Sequence, residues 1–220
     1  MSSANKIADI IKSATLIEKS EQKAVVISFS LIFVLMAAYY MLRPVRDAMA
    51  SDWSNTEISV LWNIQFFLSL TMVAIYGAAV SKIKFRYLVP TVYGVFALSF
   101  VSFHFGSALV ADQVLLDKGF YLWLSLFSLF HVSVFWSLMA DLYNQEQCQR
   151  LFGFIAVGAS AGAIVGPLVA TVVAQTIGSE TLMLSASLLL LIPLPIIGYL
   201  QYLKRTELHN EQVSTDLSPM

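Results

Sequence analysis

Charge is what this sequence has least of: Asp, Glu, Lys and Arg make up 12% of its 220 residues, about half the share usual in a soluble domain. Cysteine is almost absent, and the single Cys148 excludes an internal disulfide. No Cys/His group has metal-ligand spacing, so neither a metal nor another cofactor is expected. A basic excess is missing too: the formal net charge is -1, which gives no footing for a nucleic-acid partner. In place of charge the chain has apolar surface, with 58% hydrophobic residues and a mean hydropathy of +0.73.

The scarce charges are also segregated. Six stretches contain no Asp, Glu, Lys or Arg: residues 24–42, 58–80, 87–110, 119–140, 151–179 and 181–203. Each meets the length of about 20 residues that a helix needs to cross a bilayer. A charge at the centre of such a helix costs roughly 2.5 to 3.5 kcal/mol on insertion, so confinement of all 27 charged side chains to the gaps has a physical cause. Buried soluble helices would need polar faces for water, and these segments have none to spare. The expected architecture is an all-α membrane protein, a six-transmembrane-helix bundle over 24–203. A cytoplasmic leader, 1–23, precedes it and a cytoplasmic tail, 204–220, follows.

Local signals mark some ends. Ser54 and Glu57 form an S-x-x-E box that predicts a helix start before the second span. Gly178, Ser179 and Glu180 make a short connection that predicts an antiparallel hairpin of spans five and six. The apolar run after the leader is too long for a cleaved signal peptide, so the leader is expected to stay attached. Ile7, Ile10, Ile11, Ala14 and Ile17 recur at helical spacing there, which fits either a helix lying in the membrane interface or a solvated segment.

Orientation follows from the basic residues, which concentrate in cytoplasmic loops. An inside N-terminus places Lys6, Lys12, Lys19, Lys23, Lys82, Lys84, Arg86, Arg150, Lys204 and Arg205 in the cytoplasm, and Arg43, Arg46 and Lys118 outside. Both termini are therefore expected in the cytoplasm, with Asp112 and Glu180 external.

Several residues carry candidate chemistry. Gly158, Gly162 and Gly166, followed by Pro167, form two overlapping G-x-x-x-G units on one face of the fifth span, the pattern that lets two helix backbones approach in lipid. The same stretch fits G-x-S-x-G around Ser160, which raises the remote alternative of an intramembrane serine protease. Against it, His104 and His131 precede Ser160 and His209 lies in the tail. Arg43, Arg46 and Asp47 follow the first span. If the helix continues, the two arginines share a face and Asp47 lies one turn from Arg43, which suits either an anionic substrate or anchoring at headgroups. Asp141 and Arg150 bracket the connection of spans four and five, as a gate or as solvated charges. His131 in span four is either a proton relay or a packed residue.

Three stretches carry a resemblance: Tyr39-Tyr40-Met-Leu-Arg43-Pro44-Val-Arg46-Asp47-Ala, Phe135-Trp136-Ser-Leu-Met-Ala-Asp141, and Arg150-Leu-Phe-Gly-Phe-Ile-Ala-Val-Gly158 through Gly166-Pro167. Together they resemble the N-terminal half of the nucleotide-exchanger-like branch of the major facilitator superfamily, named for ATP:ADP antiporters. The resemblance implies a six-helix bundle that rocks against a second one around a central solute site. Arg43, Arg46 and Asp47 would lie near that cavity, Asp141 and Arg150 at the cytoplasmic gate, and Gly158 to Pro167 in a close helix contact. Family members have about twelve spans, so a second six-helix bundle is expected from another copy or a separate chain. Spans two to six hold no Lys or Arg, whereas a nucleotide carries several negative charges that would need neutralising in a dry site. The expected function is a permease half that moves an organic or anionic solute by alternating access in a bacterial inner membrane. The competing class is a nontransporting truncated paralogue or partner subunit.

Overall fold

A chain this apolar can satisfy its backbone polar groups in lipid only within helices or a closed barrel, and it forms helices. The computed structural model describes residues 17–106, 112–177 and 181–208. Its helices are α1 (Gln22–Ala50), α2 (Asn55–Val80), α3 (Phe85–Gly106), α4 (Gln113–Leu142), α5 (Gln145–Thr176), α6 (Leu182–Leu189) and α7 (Pro193–Thr206), with no strand among the described residues. Six helical segments are long and apolar enough to cross a membrane, the sixth being α6 and α7 together. The fold is that of a multi-pass, all-α membrane bundle. The expectations for residues 1–16, for the 178–180 connection and for the tail beyond 208 lie outside the described residues.

Helix starts are written into the sequence. Ser54 Oγ accepts from the Glu57 N–H at 3.3 Å while the Glu57 carboxylate accepts from the Ser54 N–H at 3.0 Å, closing the capping box at α2. Asn144 and Gln147 repeat this reciprocal pair at α5, at 2.9 and 3.0 Å. At α4 the Asp112 carboxylate caps the Leu115 N–H at 3.0 Å.

One open point is resolved and one element differs from the sequence reading. The first helix does not stop at Leu42: it runs through Pro44 to Ala50, about five more ångström per turn, and carries Arg43, Arg46 and Asp47 on its last turns. Pro44 is exposed, so the backbone bond it removes is not lost inside the core. The sixth apolar stretch is two helices rather than one. Pro193 and Pro195 cannot donate to the preceding turn, and residues 190–192 tighten into i to i−3 bonds, Leu191 N to Leu188 O at 3.1 Å and Ile192 N to Leu189 O at 3.2 Å.

The most extensive helix pair is α1 with α5. Gly158, Gly162 and Gly166 are buried along α5 and face Phe29, Phe33 and Ala37 of α1, one turn apart on each helix. A Cβ at Gly158 would lie 2.6 Å from the Phe29 carbonyl oxygen, one at Gly166 2.6 Å from that of Ala37, and one at Gly162 would collide with that of Phe33. The other flank of α1 packs on α4, α6 and α7, while α3 packs on α4, α6 and α7. Phe96, Phe100, Phe120, Phe127 and Tyr93 fill the centre. By contrast α2 buries only Leu61 completely, and it turns Trp62, Phe66, Phe67 and Leu70 outward. In lipid such exposure carries no hydrophobic penalty.

The bundle has two electrically different ends. Lys23 Nζ lies 2.6 Å from Glu207 Oε1, which brings the start of α1 beside the end of α7. Eight of the described cations gather at that end: Lys19, Lys23, Lys82, Lys84, Arg86, Arg150, Lys204 and Arg205. Arg43, Arg46 and Lys118 occupy the opposite end.

The α1–α5 contact leads to a stability ranking. Gly162→Leu should lower stability by about 3 kcal/mol or more, because the colliding partner is backbone, whereas Ser160→Ala on the exposed side should stay within about 0.5 kcal/mol. Thermal unfolding in detergent checks the order; equal stability of the two variants would contradict the packing.

Candidate functional site

The polar groups of the end that holds Arg43, Arg46 and Lys118 converge where α1, α2 and α4 meet. Continuation of α1 past Pro44 carries Arg46 to α4, with its side chain 16% exposed. Arg46 Nε and Nη2 donate to Asp47 Oδ1 at 3.0 and 2.7 Å. Its guanidinium lies 5.4 Å from the Tyr121 ring centroid, and Nη1 reaches Ser125 Oγ at 3.4 Å. Asp47 also takes a longer ion pair, 3.6 Å, from Arg43. Arg43 is more exposed and lies 5.6 Å over Tyr40. The expected triad is therefore assembled in space, with unequal roles: Arg46 faces α4 and Arg43 faces outward.

Around Tyr121 the wall is aromatic. Trp62 Nε1 donates to the Tyr121 hydroxyl at 3.1 Å, and Trp53 meets the Tyr121 ring edge-on at 5.5 Å. Lys118 lies 5.9 Å over Trp53 and is neutralised by Glu57 at 2.8 Å. Beneath this cluster runs a groove of about 540 Å³ between α2 and α4, lined by Trp62, Gln65, Phe66, Ser69, Ser125, Ser128 and Leu129. Ser125 belongs to both the groove and the Arg46 contact set; the Ser125 and Ser128 hydroxyls donate to the carbonyls of Tyr121 and Ser125 on their own helix, at 2.7 Å each, and can face the groove only as acceptors.

Sequence reading missed Tyr121, Ser125 and Ser128. Their spacing, i, i+4 and i+7, places them on one stripe of α4 and is the signal that could have found them. Gln65 stands out in the sequence as a polar residue within the second apolar run, and Trp62, Gln65, Phe66 and Ser69 share a stripe of α2 at i, i+3, i+4 and i+7; only the fold brings that stripe beside α4.

At the other end the suggested gate residues do not pair with each other. Arg150 Nη1 and Nη2 donate to Glu21 at 3.2 and 2.8 Å, and Gln147 Nε2 adds a bond to the same carboxylate at 3.1 Å. Glu18 and Glu146 lie 3.7 and 3.9 Å from the guanidinium. Asp141 instead meets Lys204 at 3.1 Å, with Gln201 at 3.5 Å. Glu21 and Lys204 are buried, and these pairs tie α1 to α5 and α4 to α7, the Arg150 side chain keeping 20% exposure. Just inside, Ser28 Oγ and the Tyr143 hydroxyl bond at 2.9 Å.

The remaining candidates are placed as follows. Gly158, Gly162 and Gly166 form the α1 contact, with Pro167 next in the helix. Ser160 is exposed on α5. His131 is buried between the rings of Tyr39 and Phe127, at centroid distances of 4.8 and 5.0 Å. Its nitrogens meet Phe127 O at 3.0 Å and Met36 Sδ at 3.3 Å. That environment is one of packing, and it brings His131 neither to Ser160 nor to a carboxylate.

Comparison of the chain with known protein families, curated proteins and solved structures gives no match.

The buried pair of α4 and α7 gives a testable asymmetry. Lys204→Met alone should cost about 3 kcal/mol, since it strands the Asp141 carboxylate, whereas the double variant Asp141→Leu with Lys204→Met should regain most of that loss. Thermal unfolding of the three proteins measures the recovery; a double variant no better than the single would show that the two charges do not act as a pair.

Proposed function

We propose that this chain is one six-helix half of a solute permease of the major facilitator type, moving an organic anion by alternating access. The observation that carries this reading is the position of Arg46: a largely covered guanidinium, held by Asp47 and Tyr121, and touching Ser125 on the wall of an open groove between α2 and α4. Anchoring at headgroups would leave an arginine to snorkel outward, as Arg43 does. The Nε–Nη2 edge of Arg46 is spent on Asp47, which leaves the Nη1–Nη2 edge to meet a carboxylate or phosphate. With Asp47 already taking part of its charge, the groove suits a solute of low charge rather than a nucleotide with its several phosphates. The resemblance of the Arg43 to Asp47 stretch to nucleotide-exchanger-like transporters supports the same role.

In this reading the groove faces a second six-helix bundle, supplied by another copy of this chain or by a separate one. The outward apolar flank of α2 supports such an arrangement, and two copies inserted the same way could occupy both halves around an axis along the membrane normal. The ion pairs of Glu21 with Arg150 and Asp141 with Lys204 keep each bundle rigid while the two rock. Both termini lie on the cytoplasmic side, by the excess of basic residues at their end. A nontransporting partner subunit would use the same α2 flank, and it differs in predicting association without any response to solute.

Replacement of Arg46 by Lys keeps the charge and removes the fork. It should weaken uptake, or ligand-induced thermal stabilisation, by about tenfold or more, with Arg43→Lys affected less. Insertion is checked separately by membrane fractionation. An unchanged response to organic anions in both variants would remove the arginines from the site.

A further inference from the structure

We infer that the connection between α2 and α3 is a binding site for anionic phospholipid headgroups. Only residues 81–84 join two membrane-spanning helices here, so the loop has no length with which to leave the interface. Lys82 and Lys84 lie in it and Arg86 on the first turn of α3, all three exposed. Their depth is therefore that of lipid phosphates, whatever the solute or partner of the protein.

Among the described residues no carboxylate forms an ion pair with these three cations. No acidic residue occurs between Glu57 and Asp112. The described carboxylates at this end are engaged elsewhere: Glu18, Glu21 and Glu146 around Arg150, Asp141 with Lys204, and Glu207 with Lys23. At the opposite end each cation has a carboxylate partner, Asp47 for Arg43 and Arg46, and Glu57 for Lys118. One end neutralises its cations internally, and the other leaves several exposed: Lys19 and Arg205 singly, and Lys82, Lys84 and Arg86 together in five residues.

Side chains between the cations suit the same ligand. Ile83 and Tyr87 are exposed, and the Arg86 guanidinium lies 4.4 Å over the Tyr87 ring while donating to its hydroxyl. An aromatic ring and an aliphatic side chain at headgroup level sit against the glycerol and upper acyl region, with the cations above them on phosphate. Free phosphate would use the cations alone, whereas a lipid would use both layers.

The test is native mass spectrometry of the full chain in neutral detergent, with phosphatidylglycerol and phosphatidylcholine of identical acyl chains. The wild type should prefer phosphatidylglycerol by roughly tenfold or more, since each cation near an anionic lipid contributes a factor of about five. Lys82→Gln, Lys84→Gln and Arg86→Gln together should abolish the preference, and Lys82→Arg with Lys84→Arg should keep it. High salt should erase it in the wild type, a measurement that does not depend on the folding of any variant. Equal binding of the two lipids by the wild type would overturn the inference, as would a preference that survives the triple substitution. Displacement of bound lipid by inorganic phosphate at equal concentration would reveal a site for soluble anions and would overturn the lipid assignment.

Discussion

The close approach of α1 and α5 is the contact on which the rest of the bundle depends. In lipid there is no water to drive apolar helices together, and association rests on packing and on polar bonds between helices. Three glycines at four-residue spacing allow the α5 backbone to lie against the carbonyls of Phe29, Phe33 and Ala37. That contact leaves the other flank of α1 for α4, α6 and α7, and the aromatic core forms there. It also fixes the azimuth of α1, and with it the direction in which Arg46 points.

Buried polar groups then determine each end. Glu21 with Arg150 and Asp141 with Lys204 join helices far apart in sequence, and in a low-dielectric setting such pairs are worth most as constraints on geometry, because desolvation offsets much of their attraction. Arg46 is held differently. Asp47, Tyr121 and Ser125 surround it without enclosing it, and the groove begins where those contacts end. The bundle thus combines one end whose buried charges are matched across helices, with Lys82, Lys84 and Arg86 exposed at its rim, and one end at which a guanidinium borders open space.

The spans were legible because charge is costly in hydrocarbon, and that cost leaves a pattern readable residue by residue. The capping box at Ser54 and Glu57 and the glycine stripe are equally local, and both occur in the structure. What the sequence concealed is long-range or cooperative. Continuation of α1 through Pro44 and the break before Pro193 involve the same residue type with opposite outcomes. Pro44 stands alone on an exposed face, whereas Pro193 and Pro195 together remove two donors from one turn. Asp141 and Arg150 are near neighbours in sequence, yet each finds a partner on another helix. Glu21, 129 residues from Arg150, offers no sequence signal at all. The groove is of the same kind: a serine stripe on α4 means little until α2 is laid beside it.

The central claim is that the α2–α4 groove is an aqueous path for a solute and not a surface wetted by lipid. Introduction of cysteine at Ser125 or Ser128, in a background with Cys148 replaced by serine, tests this with a membrane-impermeant thiol reagent on sealed vesicles. Asp112→Cys, at the same end of the bundle, serves as the reference for a fully exposed site. The account predicts labelling of Ser125→Cys and Ser128→Cys from that side of the membrane, slowed when Arg46 is occupied by an organic anion. Inert cysteines at both groove positions, beside rapid labelling at position 112, would mean that the groove is filled by lipid or protein and would contradict it.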